Sequence, residues 1–249
     1  MILEIFKDSF EYSFKEPKTI LKLGILSFLN FLIVPYFLLN GYSYRITKIG
    51  INGMINGNDP LPEFKHWGIM FLEGVKIFIV RTVYLIPGTL IFFTLSATII
   101  SMGKFLGLMV LATELGVIAI STIVWHIFYL FSIVAVPNMI NNNGSLKSAF
   151  KIREIIEISK SIGIFKYVQF YIGCIVLVLG IISATLLLIA LIILTSGLAL
   201  SSVIGPVAFG YAGIFISIAS TMALVLIISP FFMVFESRTM ALMYNTRES

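Results

Sequence analysis

The chain has 249 residues, 59% of them hydrophobic and only 12% charged, and its mean hydropathy is +1.04. A soluble domain carries roughly 25% charged residues to meet water, so this composition excludes one and marks an integral membrane protein. The formal charge of +5 comes from 17 Lys and Arg against 12 Asp and Glu; the bases sit in short segments beside apolar runs, which suits anionic lipid headgroups rather than nucleic acid.

Residues 1–18, MILEIFKDSFEYSFKEPK, do not read as a cleavable signal, because Asp8, Glu11 and Glu16 interrupt what would have to be a short apolar core. Ile2, Leu3, Ile5, Phe6, Phe10 and Phe14 instead predict an amphipathic helix lying at an interface and ending near Pro17.

A helix crossing a 30 Å hydrocarbon layer needs about 20 apolar residues. Lys22 and Arg45 enclose 22 uncharged residues, enough for one crossing, and Arg81 and Lys104 enclose another 22. From Phe105 to about Pro137 runs a third segment whose one carboxylate is Glu114. Lys166 and Glu236 bracket 69 residues without a formal charge, room for two helices with a turn in LTSGLALSSVIGP, Leu194 to Pro206. The expectation is an all-α, polytopic transmembrane bundle of five spans, near 21–42, 80–102, 106–137, 167–194 and 206–233. Six follow if the third segment conceals a re-entrant turn around Glu114 and Gly116. A β-barrel fits poorly, since CIVLVLGIISATLLLIALIIL is apolar all round instead of alternating.

Basic residues crowd residues 43–79, residues 138–166 and the C-terminal tail, which places these on the cytoplasmic side. Five crossings then put the N-terminus outside despite Lys7, Lys15, Lys18 and Lys22. Either the first span crosses fully, the expectation here, or residues 23–42 enter and return with Asn30 and Pro35 breaking the helix. PYFLLNGYSYR, PNMINNNGSLK and PFFMVFESR each set a proline at an inner boundary, at Pro35, Pro137 and Pro230, as a weak repeat would.

The connection over 43–79 is broken at Gly50, Gly53, Gly57 and Pro60, and Leu61, Phe64 and Trp67 give it apolar contact, so it reads as a membrane-hugging cytoplasmic link. Within it Arg45, Glu63, His66 and Glu73 are candidates for a cytoplasmic mouth or a headgroup site. The link over 138–166 predicts a second surface helix, capped by Asn143 or Ser145, with Phe150, Ile152, Ile155, Ile156 and Ile158 apolar and Lys147, Lys151, Arg153, Glu154 and Glu157 polar.

Inside the membrane Glu114 draws attention, because an acidic side chain at mid-helix costs about 3 kcal/mol. It is a candidate for ion, proton or substrate handling, or an interfacial residue that is paired or wet. His126 lies 12 residues further on, about 18 Å along a helix, too far to share a metal with it. Gly213, Ser217 and Thr221 recur every four residues and predict a helix-packing face, within the chain or in a homodimer. Cys174 sits in an apolar run as a small hydrophobe. No phosphate-binding loop, nucleophile elbow or zinc-ligand set is present, so no cofactor is expected and a non-enzymatic role is favoured.

Taken in order, Gly41-Tyr42, Arg45, Leu61-Pro62-Glu63-Phe64, Trp67-Gly68, Phe71, Gly74, Tyr84 and Pro87, with AFKIREI at Ala149 to Ile155, the chain resembles the uncharacterised prokaryotic membrane-protein family called domain of unknown function 4013. The resemblance implies a multi-spanning protein of a type frequent in archaea and carries over no activity. The functional expectation is a scaffold or sensor of the cell envelope. The alternative is an ion or small-molecule transporter or channel, acting as a homo-oligomer around Glu114.

Overall fold

A computed structural model of the chain describes residues 1–101, 108–205 and 207–247. Lys104, the lone charge expected between the second and third spans, and Pro206, at the end of the predicted turn, lie outside the described residues. In order the helices are α1 (Ile2–Phe14), α2 (Pro17–Phe28), α3 (Ile33–Asn52), α4 (Trp67–Ser101), α5 (Leu108–Asn141), α6 (Leu146–Ala149), α7 (Ile152–Ile162), α8 (Ile164–Ile204), α9 (Val207–Ala223) and α10 (Ser229–Asn245). A π-helical turn, Leu224–Ile228, joins α9 to α10. No β-strand occurs among the described residues.

Four helical stretches are long and apolar enough to cross a membrane: Trp67–Ile99, Ala112–Asn141, Ile164–Ala199 and Gly213–Asn245. They pair as two antiparallel hairpins. In the first, Trp125 of α5 lies against Gly88 and donates its indole N–H to Thr89 of α4. In the second, Gly213 of α9 faces Ile193 of α8. The faces these helices turn outward are oily, with Phe93, Leu187 and Phe215 each more than 60% exposed. In water that would be a large cost; in lipid it is the solvated state.

Five spans, or six, were expected, and the difference has two causes. The segment 21–42 is not one helix. α2 stops at Phe28, residues 29–32 form an irregular turn, and α3 restarts at Ile33. Pro35 has no N–H to give to the carbonyl of Phe31, so a helix running through this point would lose a bond, whereas proline is tolerated in the first turn of a new one. Moreover, the two ends of the segment meet. Phe64 has the Lys22 ammonium 5.7 Å from its ring centre and the Tyr42 ring stacked on it at 4.7 Å. Residues 22 and 42 therefore lie at one level, and the chain between them goes out and returns. From Ile33 to Tyr42 the rise is about 14 Å, roughly half a hydrocarbon layer. The turn around Glu114 and Gly116 that a sixth span would need is not found among the described residues, where α5 runs unbroken through both; a single glycine costs a helix only about 1 kcal/mol.

The buried core lies at the end of the hairpins nearest the polar connections. One cluster joins Ile5 of α1, Ile77 and Val80 of α4, Val134 and Met139 of α5, Ile155 of α7 and Leu242 of α10. A second gathers Tyr12, Leu23, Leu39, Tyr42, Met70 and Val234. α3 and α4 cross very closely: a Cβ on Gly41 would lie 1.8 Å from the Met70 carbonyl oxygen, and one on Gly74 would lie 1.8 Å from that of Phe37. The surface helix expected over 138–166 is two helices, α6 and α7, separated at Phe150 and Lys151. Ser145 precedes α6 without a side-chain capping bond. α7 buries Ile155 and Ile162 and leaves Arg153, Glu157 and Lys160 outside.

Candidate functional site

The connection between α3 and α4, residues 53–66, has no regular structure, so its backbone polar groups need other partners. Side chains supply them. Tyr12 donates its hydroxyl to the Pro60 carbonyl and Tyr42 donates to that of Pro62, each at 2.9 Å. Burial pushes both phenols well above their ordinary pKa, so they remain donors. Arg45 donates from Nε to Glu73 at 2.8 Å and from its terminal nitrogens to the carbonyls of Glu63, Lys65 and His66.

Arg238 holds the other end of the link. It is fully buried and donates to Asp8 at 2.9 Å, to Asp59 at 2.8 Å and to the Met54 carbonyl at 3.3 Å, with its guanidinium 4.8 Å from the Tyr12 ring centre. Asp8 also accepts the Asn56 N–H at 2.6 Å. The link is thus clamped between two arginines, one following Pro35 and the other following Pro230, in two of the three similar exits.

Of the four candidates at this link, Arg45 and Glu73 are engaged by the fold, and Glu63 and His66 are exposed. Arg45 and Glu73 face each other as half-buried partners. Glu63 is exposed and pairs with Lys65, whose hydrogen bond and charge hold its carboxyl below the usual range. His66 is exposed in the left-handed region, at φ 54°, and its carbonyl accepts the first α4 bond, from Met70 N–H.

Glu114 sits half-buried on α5 and accepts from Ser96 of α4 at 3.4 Å, a long bond between the two arms of the hairpin. His126 Nδ1 lies 2.7 Å from its own helix's Thr122 carbonyl. On α9, Ser217 and Thr221 bond back to the carbonyls of Gly213 and Ser217 and are exposed, while Gly213, Ile216 and Ser220 turn toward α8. Among the described residues no three His, Cys, Asp or Glu side chains converge in a way that could hold a metal.

A different arrangement carries more chemistry. Between α5, α8 and α10 opens a cleft of about 230 Å³, walled by Ile133, Phe170, Ile175, Val178, Leu179, Phe232, Phe235 and Met240, with Cys174 as one more apolar side chain. Three polar side chains line it, Tyr129, Tyr171 and Glu236, the last lying on α10 between the lining residues Phe232 and Met240. One Glu236 oxygen, Oε1, accepts from Arg81 at 3.0 Å and from the Tyr129 hydroxyl. Among the described residues no hydrogen bond reaches the other oxygen, Oε2. The side chains of Arg81 and Glu236 are 27% and 35% exposed.

Each charge alone would be expensive between lipid-facing helices, and each offsets the other only by pairing. Arg81 does not line the cleft, so what the cleft presents is the carboxylate side of the pair. A mainly apolar slot that presents a hydrogen-bond acceptor is suited to holding an amphiphile. Arg81 and Glu236 delimit apolar runs in the sequence, where each reads as a boundary of a span. Their being partners, 155 residues apart, leaves no trace in periodicity or spacing.

The family comparison accords with this membrane architecture. A family model described as a protein of unknown function, DUF4013, matches residues 23–194. The matched region runs from the α2–α3 segment through both polar connections and into α8, and includes Arg45, Arg81 and Tyr129 but not Glu236. No curated protein and no solved structure matches the chain. The chain is therefore an all-helical, multi-pass protein of the cell membrane that belongs to the DUF4013 family.

Proposed function

We propose that this chain is a non-enzymatic membrane component, a scaffold or sensor of the envelope, that takes an apolar chain from the bilayer into the cleft between α5, α8 and α10. The observation that supports this best is the cleft's construction, apolar apart from Tyr129, Tyr171 and the Glu236 carboxylate. Four crossings with a re-entrant first segment return every basic segment to one side, so the N-terminal lysines no longer oppose the positive-inside rule. In this reading that side is cytoplasmic, and Lys147, Lys151, Arg153 and Lys160 meet anionic headgroups around α6 and α7.

The test is photolabelling in nanodiscs with a diazirine-bearing hexadecyl chain, mapped by peptide mass spectrometry. Labels are expected on Cys174, Val178 and Phe232 well above those on Phe93 and Ile123, which are exposed on the other hairpin. Equal labelling of both hairpins would overturn the reading.

A homo-oligomeric carrier or channel built around Glu114 has one supporting observation, the half-buried contact of that carboxylate with Ser96. Reconstituted flux that Glu114→Gln abolishes, with the protein still folded, would favour it over the cleft reading.

A further inference from the structure

We infer that the cleft selects an amphiphile with an uncharged hydroxyl head, a long-chain alcohol in chemical class, whose O–H donates to Glu236 Oε2. The inference rests on the cleft reading above and names the head that the site takes.

The polar part of the cleft is the Glu236 carboxylate with the Tyr129 and Tyr171 hydroxyls. Oε1 is occupied by two donors, the Arg81 guanidinium and the Tyr129 hydroxyl. Oε2 is not in use by the protein among the described residues, and Glu236 keeps about a third of its side-chain surface open. A carboxylate oxygen is an acceptor, so the complementary head must donate. A phosphate or carboxylate head brings a like charge; the Tyr129 and Tyr171 hydroxyls carry none to offset it, and Arg81, the cation that could compensate, is absent from the cleft wall.

An ammonium head would donate, but Arg81 already neutralises Glu236. A second cation would leave one unbalanced charge in an apolar enclosure, where desolvation is costly. A hydroxyl donates without adding charge, and hydrogen bonds to an ionised acceptor are the stronger kind. The size of the space agrees. About 230 Å³ is below the roughly 300–1,000 Å³ of pockets that bury drug-sized ligands, and has room for the head and part of a single chain passing Val178, Phe232 and Phe235.

The experiment is competition against the diazirine hexadecyl label in nanodiscs by hexadecane, hexadecanol, hexadecanoate, hexadecyl phosphate and hexadecylamine at equal mole fraction. Hexadecanol is expected to displace the label from the cleft peptides at about tenfold lower mole fraction than hexadecane or either anion. The double variant Arg81→Met with Glu236→Leu removes both charges together and leaves no orphan. In it the advantage of the alcohol over hexadecane should fall to within about twofold while labelling of the cleft persists.

Equal competition by all five, or a preference for the amine or for an anion, overturns the inference about the head while leaving the cleft reading intact. An alcohol preference undiminished in the double variant overturns it too. Absence of cleft labelling in the unmodified protein sinks the underlying reading itself.

Discussion

Replacing Arg238 with methionine tests the clamp on the 53–66 link most directly. The guanidinium is fully buried and the Asp8 side chain is 3% exposed, so Arg238→Met leaves Asp8 as an uncompensated buried carboxylate with only the Asn56 N–H. Removing one partner of a buried pair costs about 3–5 kcal/mol. Asp59, with its side chain 26% exposed, recovers water and adds little. The unfolding equilibrium should therefore move by about two to three and a half orders of magnitude. The assay is unfolding in mixed micelles at increasing SDS fraction, followed by the fluorescence of Trp67 and Trp125. The companion variant, Arg238→Met with Asp8→Leu, removes the stranded charge and should regain at least about 1 kcal/mol over the single change, as expected when sites couple. If Arg238→Met lies within about 1 kcal/mol of the unmodified protein, or if the double change is as damaging as the sum of its parts, the buried network is not what holds the link.

Three further outcomes follow from the packing. Gly41→Ala or Gly74→Ala should push α3 off α4, because the new methyl would meet a backbone carbonyl that cannot rotate away; each is expected to cost more than about 3 kcal/mol in the same SDS titration. Gly180→Ala, with nothing within 4 Å, should be neutral or stabilising by up to about 1 kcal/mol, and a similar loss in all three would refute the close-crossing argument. Glu154 is held below its ordinary pKa by the Asn138 amide and then by Lys151, so its contribution is present above the unfolded value near 4.3 and is lost as pH falls through the lower folded one. Hydrogen exchange in α7, corrected for intrinsic rate, should accordingly rise on acidification below about pH 4 and lose that dependence in Glu154→Gln. In a Cys174→Ser background, single cysteines at Lys18, Asn58, Ser145 and Asn245 should all react with an impermeant maleimide from the same face of sealed vesicles; opposite labelling of Lys18 and Asn58 would show that residues 23–42 cross.

The membrane class, the helical architecture and the long helices past Arg81, Phe105 and Lys166 were legible because lipid demands apolar residues in lengths that nothing else explains. The polar ends of those helices were not. α4 begins at Trp67 and not near residue 80, since Glu73 and Arg81 count against hydropathy although Arg45 and Glu236 compensate them. The return of the chain at residues 29–32 was hidden because an uncharged stretch of suitable length reads the same whether it crosses or folds back; Asn30 and Pro35 were the available hints. The turn after α8 fell inside the predicted window, at Gly205 with φ 99°. Glu114 attracted notice as a solitary charge in an oily run, while Glu236, at the edge of one, did not. Hydropathy ranks a charge by its neighbours in sequence, whereas the cleft is defined by neighbours in space.

Asp8 and Arg238 stand 230 residues apart, and this separation bears on how the molecule is made. At about 5–20 residues per second on the ribosome, some 10 to 50 seconds pass between the synthesis of one and the arrival of the other. α1, with 13 residues, is too short to hold its shape alone in water. Asp8 lacks its Arg238 partner, and Phe10 and Phe14 lack the Phe231 ring, until α10 has been delivered. α1 thus completes its packing only after α10 arrives, and until then the segment from Gly53 to His66 is held by Arg45, Tyr12, Tyr42 and Asp8 without its Arg238 bonds.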